Sequence, residues 1–393
     1  MFEQHRSNVA ENNYKDKKMK KIKILFTAVA VSLMTLLVYP QLAVAQQLRI
    51  ASGLPPMQPA NNPLYTEFQK RLPEATSGRL SAQMVGMEVV NLANMRSGLN
   101  SGLVQVGLFL PAYFPADLPN FNLVGDLSLM GGHPQATAAA MTEYIVTCSD
   151  CQQELKRLGV VYTGSHANPY SLLTTRTVRS TDDLRGMRIR VATPQHARWV
   201  EAMGATPVSM PTGEAFEALS QGIIEGTVTS ISDLISFNLQ DVIKSVTLLD
   251  MGTFHSLIDH AIRQNTWNSL SVEDRKAMIS VSNTAILMTV DRWIEMAGEG
   301  RAVAEKRNIP LVEPDTALVQ ATRGFVAQDV SVAVNQAETR FRVTDAAQKI
   351  ARFQQLMSKW EARVAELNHD AEAVHQALQH EVWDKIDLAA YGR

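Results

Sequence analysis

The feature that most constrains this chain is the stretch from Met187 to Thr229, where strand and helix patterns alternate. Residues 187–192 alternate apolar and basic side chains with a period of two, which predicts a strand with one buried face. Pro194 supplies the fixed φ of a first helical turn, and Gly204 ends the helix that follows. The first half of the stretch therefore predicts a strand followed by a helix.

The second half of the stretch repeats this order. Residues 206–209 form a short extended run, and Thr212 caps a second helix that ends at Gly222. Residues 223–228 predict a third strand. Repeated strand, helix and strand predict a parallel sheet with helical crossovers, whose ligands lie beyond the carboxyl ends of the strands. Arg190 is near that end of the first strand.

Three segments carry a family resemblance: LRGMRIRV at 184–191, GATPVSMP at 204–211 and ALSQGIIEGT at 218–227. They resemble the central signature of the substrate-binding proteins of TRAP (tripartite ATP-independent periplasmic) transporters, dicarboxylate-binding type. The resemblance extends over essentially the whole mature chain. It implies an extracytoplasmic solute-binding protein that captures a small organic acid, with Arg190 matching the arginine that holds the substrate carboxylate.

The N-terminus has the features of a signal peptide. A basic segment at residues 19–23 precedes an apolar run from Ile24 to Tyr39, and residues 43–45 form an A-x-A cleavage site. We predict cleavage before Gln46, which makes residues 1–45 the leader, and Met19 is a candidate for the true start. A membrane anchor is the alternative, but the apolar run is short for a span.

A second set of strand and helix patterns precedes the central stretch. Strands are predicted at 47–52, 79–85 and 104–108, with helices at 62–75 and 91–99. Two such units predict an α/β fold with two lobes, similar to type II periplasmic binding proteins, and with long helices crossing between the lobes. We assign residues 46–172 and about 256–300 to lobe I. Residues 173–255 and about 301–393, with the C-terminal helices, are assigned to lobe II.

Composition and motifs argue against several functions. The chain has 46% hydrophobic residues and a formal net charge of −2, so it can bury a sizeable core and has no basic excess for nucleic acid. No GxSxG, HExxH or GxxxxGK[ST] motif is present, so we expect no enzyme activity and no cofactor or metal. The expected location is the periplasm, the expected partners are a carboxylate and a TRAP membrane carrier, and the expected state is a monomer or weak dimer. A periplasmic sensor and a CxxC oxidoreductase are the alternatives.

Four residues of the second unit are candidates for contacts with the ligand. Arg190 can grip a carboxylate with two parallel hydrogen bonds. Thr193 follows at the strand end and either binds an anion or only caps the helix. Thr229 and Asp233 follow the third strand and should border the same cleft.

Further candidates come from the crossover and from the first unit. Where many relatives carry Glu-Asn, this chain has Val228-Thr229, and where some carry a second arginine it has the segment with Asn168 and Tyr170. Tyr170 would then supply a phenol in place of a charge. In the first unit Glu88 follows the second strand and Tyr113 follows the third, although either residue could simply be solvated or packed in a loop.

The two cysteines, Cys148 and Cys151, predict a local disulfide because an exported chain folds in an oxidising space. Free thiols, and a redox or metal site, are the less favoured alternatives.

A disulfide across so few residues closes a very short loop, and the stabilisation that a crosslink gives falls with loop size. We therefore expect reduction to change the free energy of unfolding little. Mass spectrometry of the non-reduced protein should show the pair two hydrogens lighter. Two freely alkylated thiols in native protein from an oxidising compartment would contradict the pairing.

Overall fold

The computed structural model describes residues 45–393 and, before them, Met19 alone. The predicted signal peptide lies outside the described residues except for Met19 and Ala45, and it stays a prediction. Within residues 45–393, no helix combines the length and the apolar character that crossing a bilayer requires.

The described strands form a five-stranded sheet, a six-stranded sheet and a two-stranded ribbon. They are β1 Gln46–Ala51, β2 Leu80–Met84, β3 Val106–Phe109, β4 Val160–Val161, β5 Asn168–Pro169, β6 Ser171–Thr174, β7 Arg188–Val191, β8 Thr206–Ser209, β9 Gly226–Thr229, β10 Ser245–Thr247, β11 Thr253–Phe254, β12 Ile258–Arg263 and β13 Leu311–Val312.

The α-helices of the described chain cover the sheets and dominate the C-terminal third. They are α1 Leu64–Ala75, α2 Met95–Ser101, α3 Pro119–Gly125, α4 Pro134–Thr147, α5 Ser149–Leu158, α6 Thr181–Leu184, α7 Pro194–Ala202, α8 Ala215–Ser220, α9 Asp233–Ser236, α10 Gln264–Ser269, α11 Val272–Lys306, α12 Thr316–Arg340, α13 Ala346–Glu366 and α14 Ala371–Glu381.

Each sheet contains one of the predicted parallel units. In the first sheet, of order β2-β1-β3-β12-β4, β1 pairs in parallel with both β2 and β3. In the second, of order β13-β10-β6-β9-β7-β8, β7 pairs in parallel with β8 and β9. Antiparallel strands complete both sheets, because β12 joins β3 and β6 joins β9. The predicted two-lobed α/β fold is confirmed.

The chain passes between the sheets along ordered segments. The outward crossing contains β5 and the return crossing contains β11, and these two strands pair with each other. Helix α11 also connects the lobes: Met278 and Ile286 lie in the core of the first sheet, and Ala304 lies in a core cluster of the second. Helix α11 therefore packs against both lobes.

The C-terminal helices are interrupted and pack on the first lobe. Helix α12 ends at Arg340 and α13 starts at Ala346, with Arg342 and Asp345 at positive φ between them. We assigned these helices to lobe II, and Phe353 and Trp360 of α13 are buried in the first core. Their apolar face covers α4, a long-range contact that helical periodicity cannot specify. The exact domain limits stay a prediction.

The disulfide between Cys148 and Cys151 is present, as predicted. Both residues are buried, and the sulfur of Cys148 accepts a hydrogen bond from the backbone N–H of Cys151 at 3.1 Å, at the start of α5. A redox centre needs an accessible sulfur, so this burial is typical of a structural bond.

A buried ion cluster joins three helical segments. Arg198 of α7 donates to Asp329 of α12 at 2.6 and 2.8 Å and to Asp126, at the end of α3, at 2.9 Å. Burial raises the pKa of the Asp126 carboxyl to about 6, although the charge of Arg198 acts in the opposite direction. Because α3 covers the first sheet and α7 belongs to the second, the cluster links the two lobes.

Removing one carboxylate from this cluster should be strongly destabilising, because the Arg198 charge would stay buried with less compensation. We expect Asp329→Ala to lower the free energy of unfolding by roughly 3–5 kcal/mol. Glu295→Ala is the control, since Glu295 pairs with Arg292 at 3.5 Å with 68% of its side chain exposed, and exposed pairs contribute about 0–1 kcal/mol. Urea unfolding checks both variants, and equal small losses would contradict the assigned role of the cluster.

Candidate functional site

Strand order in the second sheet brings the predicted residues together. Strand β9 lies between β7 and β6, and Thr229 at the carboxyl end of β9 is opposite Ser171 at the start of β6. Tyr170 directly precedes β6. Residues from the end of one strand and from the approach to its antiparallel neighbour therefore meet at one edge of the sheet.

Arg190 is fully buried on β7. Its Nε donates to the carbonyl oxygen of Met210 at 3.0 Å, and its Nη2 donates to the Thr212 hydroxyl at 2.7 Å. The remaining nitrogen, Nη1, is buried and has no hydrogen-bond partner among the described residues. Arg188, two residues earlier, is instead exposed and lies 3.5 Å from Glu225. The guanidinium of Arg190 is thus held by two contacts with one donor group left over.

Asp233 is the acidic centre of the site. Its carboxylate accepts hydrogen bonds from the Thr229 hydroxyl, from Ser236 at 2.7 Å and from the amide nitrogen of Gln58 at 3.0 Å. Burial raises the pKa of the Asp233 carboxyl, while these hydrogen bonds and the charge of Arg190 act in the opposite direction. Gln58 belongs to the loop after β1 in the first sheet, so this network crosses from one lobe to the other.

A cavity of about 60 Å³ lies between the sheets beside this network. The predicted residues Asn168, Tyr170, Thr229 and Asp233 line it, together with Thr212. The ring of Tyr170 stacks on the ring of Phe254 at a centroid distance of 5.3 Å. Apolar side chains form most of the remaining wall: Leu54, Ala60, Leu92, Leu108, Leu110, Phe237, Leu257 and Trp293.

His166 also lines the cavity, a position that the sequence analysis did not identify. Its Nδ1 lies 2.6 Å from a carboxylate oxygen of Asp259, and its backbone N–H donates to the other oxygen at 2.5 Å. Burial raises the pKa of the Asp259 carboxyl, and His166 opposes that shift. Asp259 is on β12, which follows the return crossing, so this pair forms only when the return crossing packs against the outward crossing.

Thr193 and Tyr113 lie apart from the small cavity. Both line a larger cavity of about 680 Å³ beside α7. Thr193 caps α7 by accepting a hydrogen bond from the backbone N–H of His196, so the capping role is formed. The hydroxyl of Tyr113 is buried without a partner in the described chain. Glu88 is exposed and lines neither of these two cavities.

Gln58 could have been found from the sequence by one signal that was not used. It lies in the Pro-rich loop after β1, and loops after parallel strands border ligand sites.

Within residues 45–393, no group of three or more His, Cys, Asp or Glu side chains is arranged to hold a metal ion.

Comparison with known proteins identifies the family of this chain. Residues 50–331 match the profile of the bacterial extracellular solute-binding proteins, family 7. The chain belongs to this family.

Two relatives of this family 7 protein match over shorter segments. A solute-binding protein of Roseobacter denitrificans is 30% identical over 154 residues, which cover 39% of this chain and 47% of the relative. The ectoine-binding periplasmic protein TeaA of Halomonas elongata is 30% identical over 115 residues, which cover 29% of this chain and 33% of the relative. The chain therefore spans less than half of the length of these relatives.

Solved structures match over more of the chain. A TRAP periplasmic solute-binding protein from Bordetella bronchiseptica with bound (R)- and (S)-mandelate has a TM-score of 0.65 and 25% identity, over 80% of this chain and 99% of that one. A marine metagenome TRAP solute-binding protein specific for aromatic acid ligands, in complex with 3-hydroxybenzoate, has a TM-score of 0.70 and 22% identity, over 81% and 99%. This family 7 protein shares their fold.

His196, beside the site, should make folding sensitive to acid. Burial lowers the pKa of its imidazole from 6.5 to about 4, so the unfolded chain takes up the proton first and stability is lost as pH falls through that interval. Going from about pH 7 to pH 5 should cost about 2 kcal/mol at this residue. Urea unfolding at both pH values should therefore show a smaller loss for His196→Gln than for the unaltered protein. His380→Gln, on an exposed side chain, is the control and should lose as much as the unaltered protein. An equal loss in His196→Gln would contradict the assignment.

Proposed function

We propose that this solute-binding protein captures a small carboxylic acid in the cavity between its two sheets and delivers it to a TRAP-type membrane carrier from the periplasm. The observation that carries the proposal is that Nη1 of Arg190 has no partner among the described residues, while Nη2 of the same side chain bonds Thr212 of the cavity wall. A guanidinium buried in a sheet is costly unless its donors are used, and a carboxylate matches their planar geometry. The two hydrogen bonds that hold Arg190 leave its Nη1 available to donate to a ligand carboxylate.

The cavity wall indicates the rest of the ligand. Stacked Tyr170 and Phe254, with leucines and Trp293, give an apolar surface that suits a compact hydrocarbon or aromatic body. Mandelate and 3-hydroxybenzoate, bound by two proteins of the same fold, combine a carboxylate with such a body. A single arginine at this position also favours one carboxylate over a polyanion.

Residues of both lobes line the cavity, so a bound ligand would contact both sides. Gln58 of one lobe bonds Asp233 of the other, and such contacts exist only when the lobes are together. A ligand that contacts both sides then favours the closed state by its differential affinity.

The first experiment is a thermal-shift screen of the full protein over carboxylic acids. A ligand at 100 times its dissociation constant stabilises the native state by about 2.7 kcal/mol. Shifts from sugars or amines, with none from acids, would overturn the carboxylate proposal. Uptake of the identified acid in cells, with and without the membrane carrier, tests delivery.

Substitution of Arg190 tests the anion site directly. We expect Arg190→Ala to weaken binding of the identified acid at least about tenfold, because a charge-assisted hydrogen bond is lost. Arg190→Lys should recover only part of the affinity, since an ammonium lacks the fork geometry. Arg188→Ala is the matched control on the same strand and should change affinity little. Calorimetry on folded variants measures all three, and a larger loss for Arg188→Ala would show that the anion site is placed wrongly.

A further inference from the structure

Gln58 carries a second unpartnered polar atom at the same cavity. The side chain lines the cavity and is 3% exposed, and its Oε1 is buried with no hydrogen-bond partner among residues 45–393. Its Nε2 donates to Asp233 at 3.0 Å and to the Ser236 hydroxyl at 3.1 Å. The amide nitrogen therefore has two hydrogen-bond partners, and the amide oxygen has none among the described residues.

The surrounding hydrogen bonds fix which way this amide faces. Ser236 donates its own proton to Asp233 at 2.7 Å, so its oxygen must accept from Gln58. Turning the amide over would place Oε1 against the carboxylate, where two acceptors repel. Oε1 thus stays on the side away from Asp233 and keeps its lone pairs for another donor.

Asp233 already accepts three hydrogen bonds. Ser236 and Gln58 donate to one carboxylate oxygen, and Thr229 donates to the other. Gln58 Oε1 is therefore a neutral acceptor at the cavity wall. Arg190 bonds Thr212, which also lines the cavity, and its charge acts on Asp233, which bonds Gln58. Its Nη1 is a cationic donor without a partner among the described residues.

We propose that Gln58 is a specificity-determining residue that selects a carboxylic acid bearing a hydrogen-bond donor, a hydroxyl or an ammonium, in addition to the carboxylate held by Arg190. This inference rests on the proposed function and deepens it. An acid without the donor group would leave the Gln58 oxygen buried and without a hydrogen bond, which lowers its affinity. The preference for an acid with a donor therefore comes both from the hydrogen bond that it forms and from the desolvation cost that the other acid does not recover. Because Gln58 belongs to the first lobe and Arg190 to the second, such a ligand also bridges the cleft.

Matched acids test the selection on the full-length protein by calorimetry. One series is lactate, propionate and alanine, and the other is mandelate, phenylacetate and phenylglycine, which present a hydroxyl, no donor or an ammonium on similar frameworks. We expect the hydroxyl or the ammonium member of a series to bind at least about tenfold more tightly than the member without a donor. Which of the two binds best identifies the donor.

Gln58→Met removes the acceptor at similar volume, and we expect it to abolish the preference within a series. Ser236→Ala is the control, because it removes a partner of the amide nitrogen and leaves Oε1 in place, so the preference should persist. Circular dichroism verifies that both variants fold, and the comparison of acids on the unaltered protein stands without either variant.

The possible failures are distinguishable. Equal affinities within each series on the unaltered protein, or a preference that persists in folded Gln58→Met, would overturn the role of Gln58 and leave the carboxylate function standing. If no acid of either series or of the wider screen binds, the proposed function fails and this inference fails with it.

Discussion

The arrangement of the second lobe depends on a charged guanidinium that is fully buried in a sheet. Burying an isolated charge is prohibitive, so Arg190 must be compensated by nearby polar groups. The carbonyl of Met210 and the hydroxyl of Thr212 use two of its donor nitrogens, and the carboxylate of Asp233 lies close enough to act on it electrostatically. The third nitrogen, Nη1, has no hydrogen-bond partner among the described residues, and this is the group that we propose binds a ligand carboxylate.

Two different contacts join the lobes. Gln58 bonds Asp233, and Arg198 bonds Asp126 and Asp329. The first contact is a hydrogen bond from a neutral amide to a carboxylate, while the second is a largely buried ion cluster, and loss of one partner from such a cluster is strongly destabilising.

The sequence predicted the parts of this structure that local rules determine. Strand β7 and helix α7 follow from period-two alternation, an N-terminal proline and a helix-ending glycine. The third strand was predicted at 223–228 and starts three residues later, at Gly226. The role of Arg190, inferred from the strand-end rule and the family resemblance, stays a prediction. Gln58 and the His166 and Asp259 pair were missed because their partners are far away in sequence: Gln58 meets Asp233 175 residues later, and His166 meets Asp259 93 residues later. The packing of Trp360 on the first core is of the same kind. Periodicity identifies a buried face but not what covers it.

Sheets and loops carry different parts of the function in this fold. Arg190 comes from a sheet strand, whereas Gln58, Tyr170 and Asp233 come from segments that follow or join strands. Connecting segments vary more among related proteins than the elements they join, while the sheets hold their positions. Proteins that share this fold at 18–25% identity accordingly hold ligands as different as pyroglutamic acid and mandelate. Under the proposed function, Arg190 on a sheet strand would hold the acid group, and the segments that carry Gln58 and Tyr170 would select the rest of the ligand.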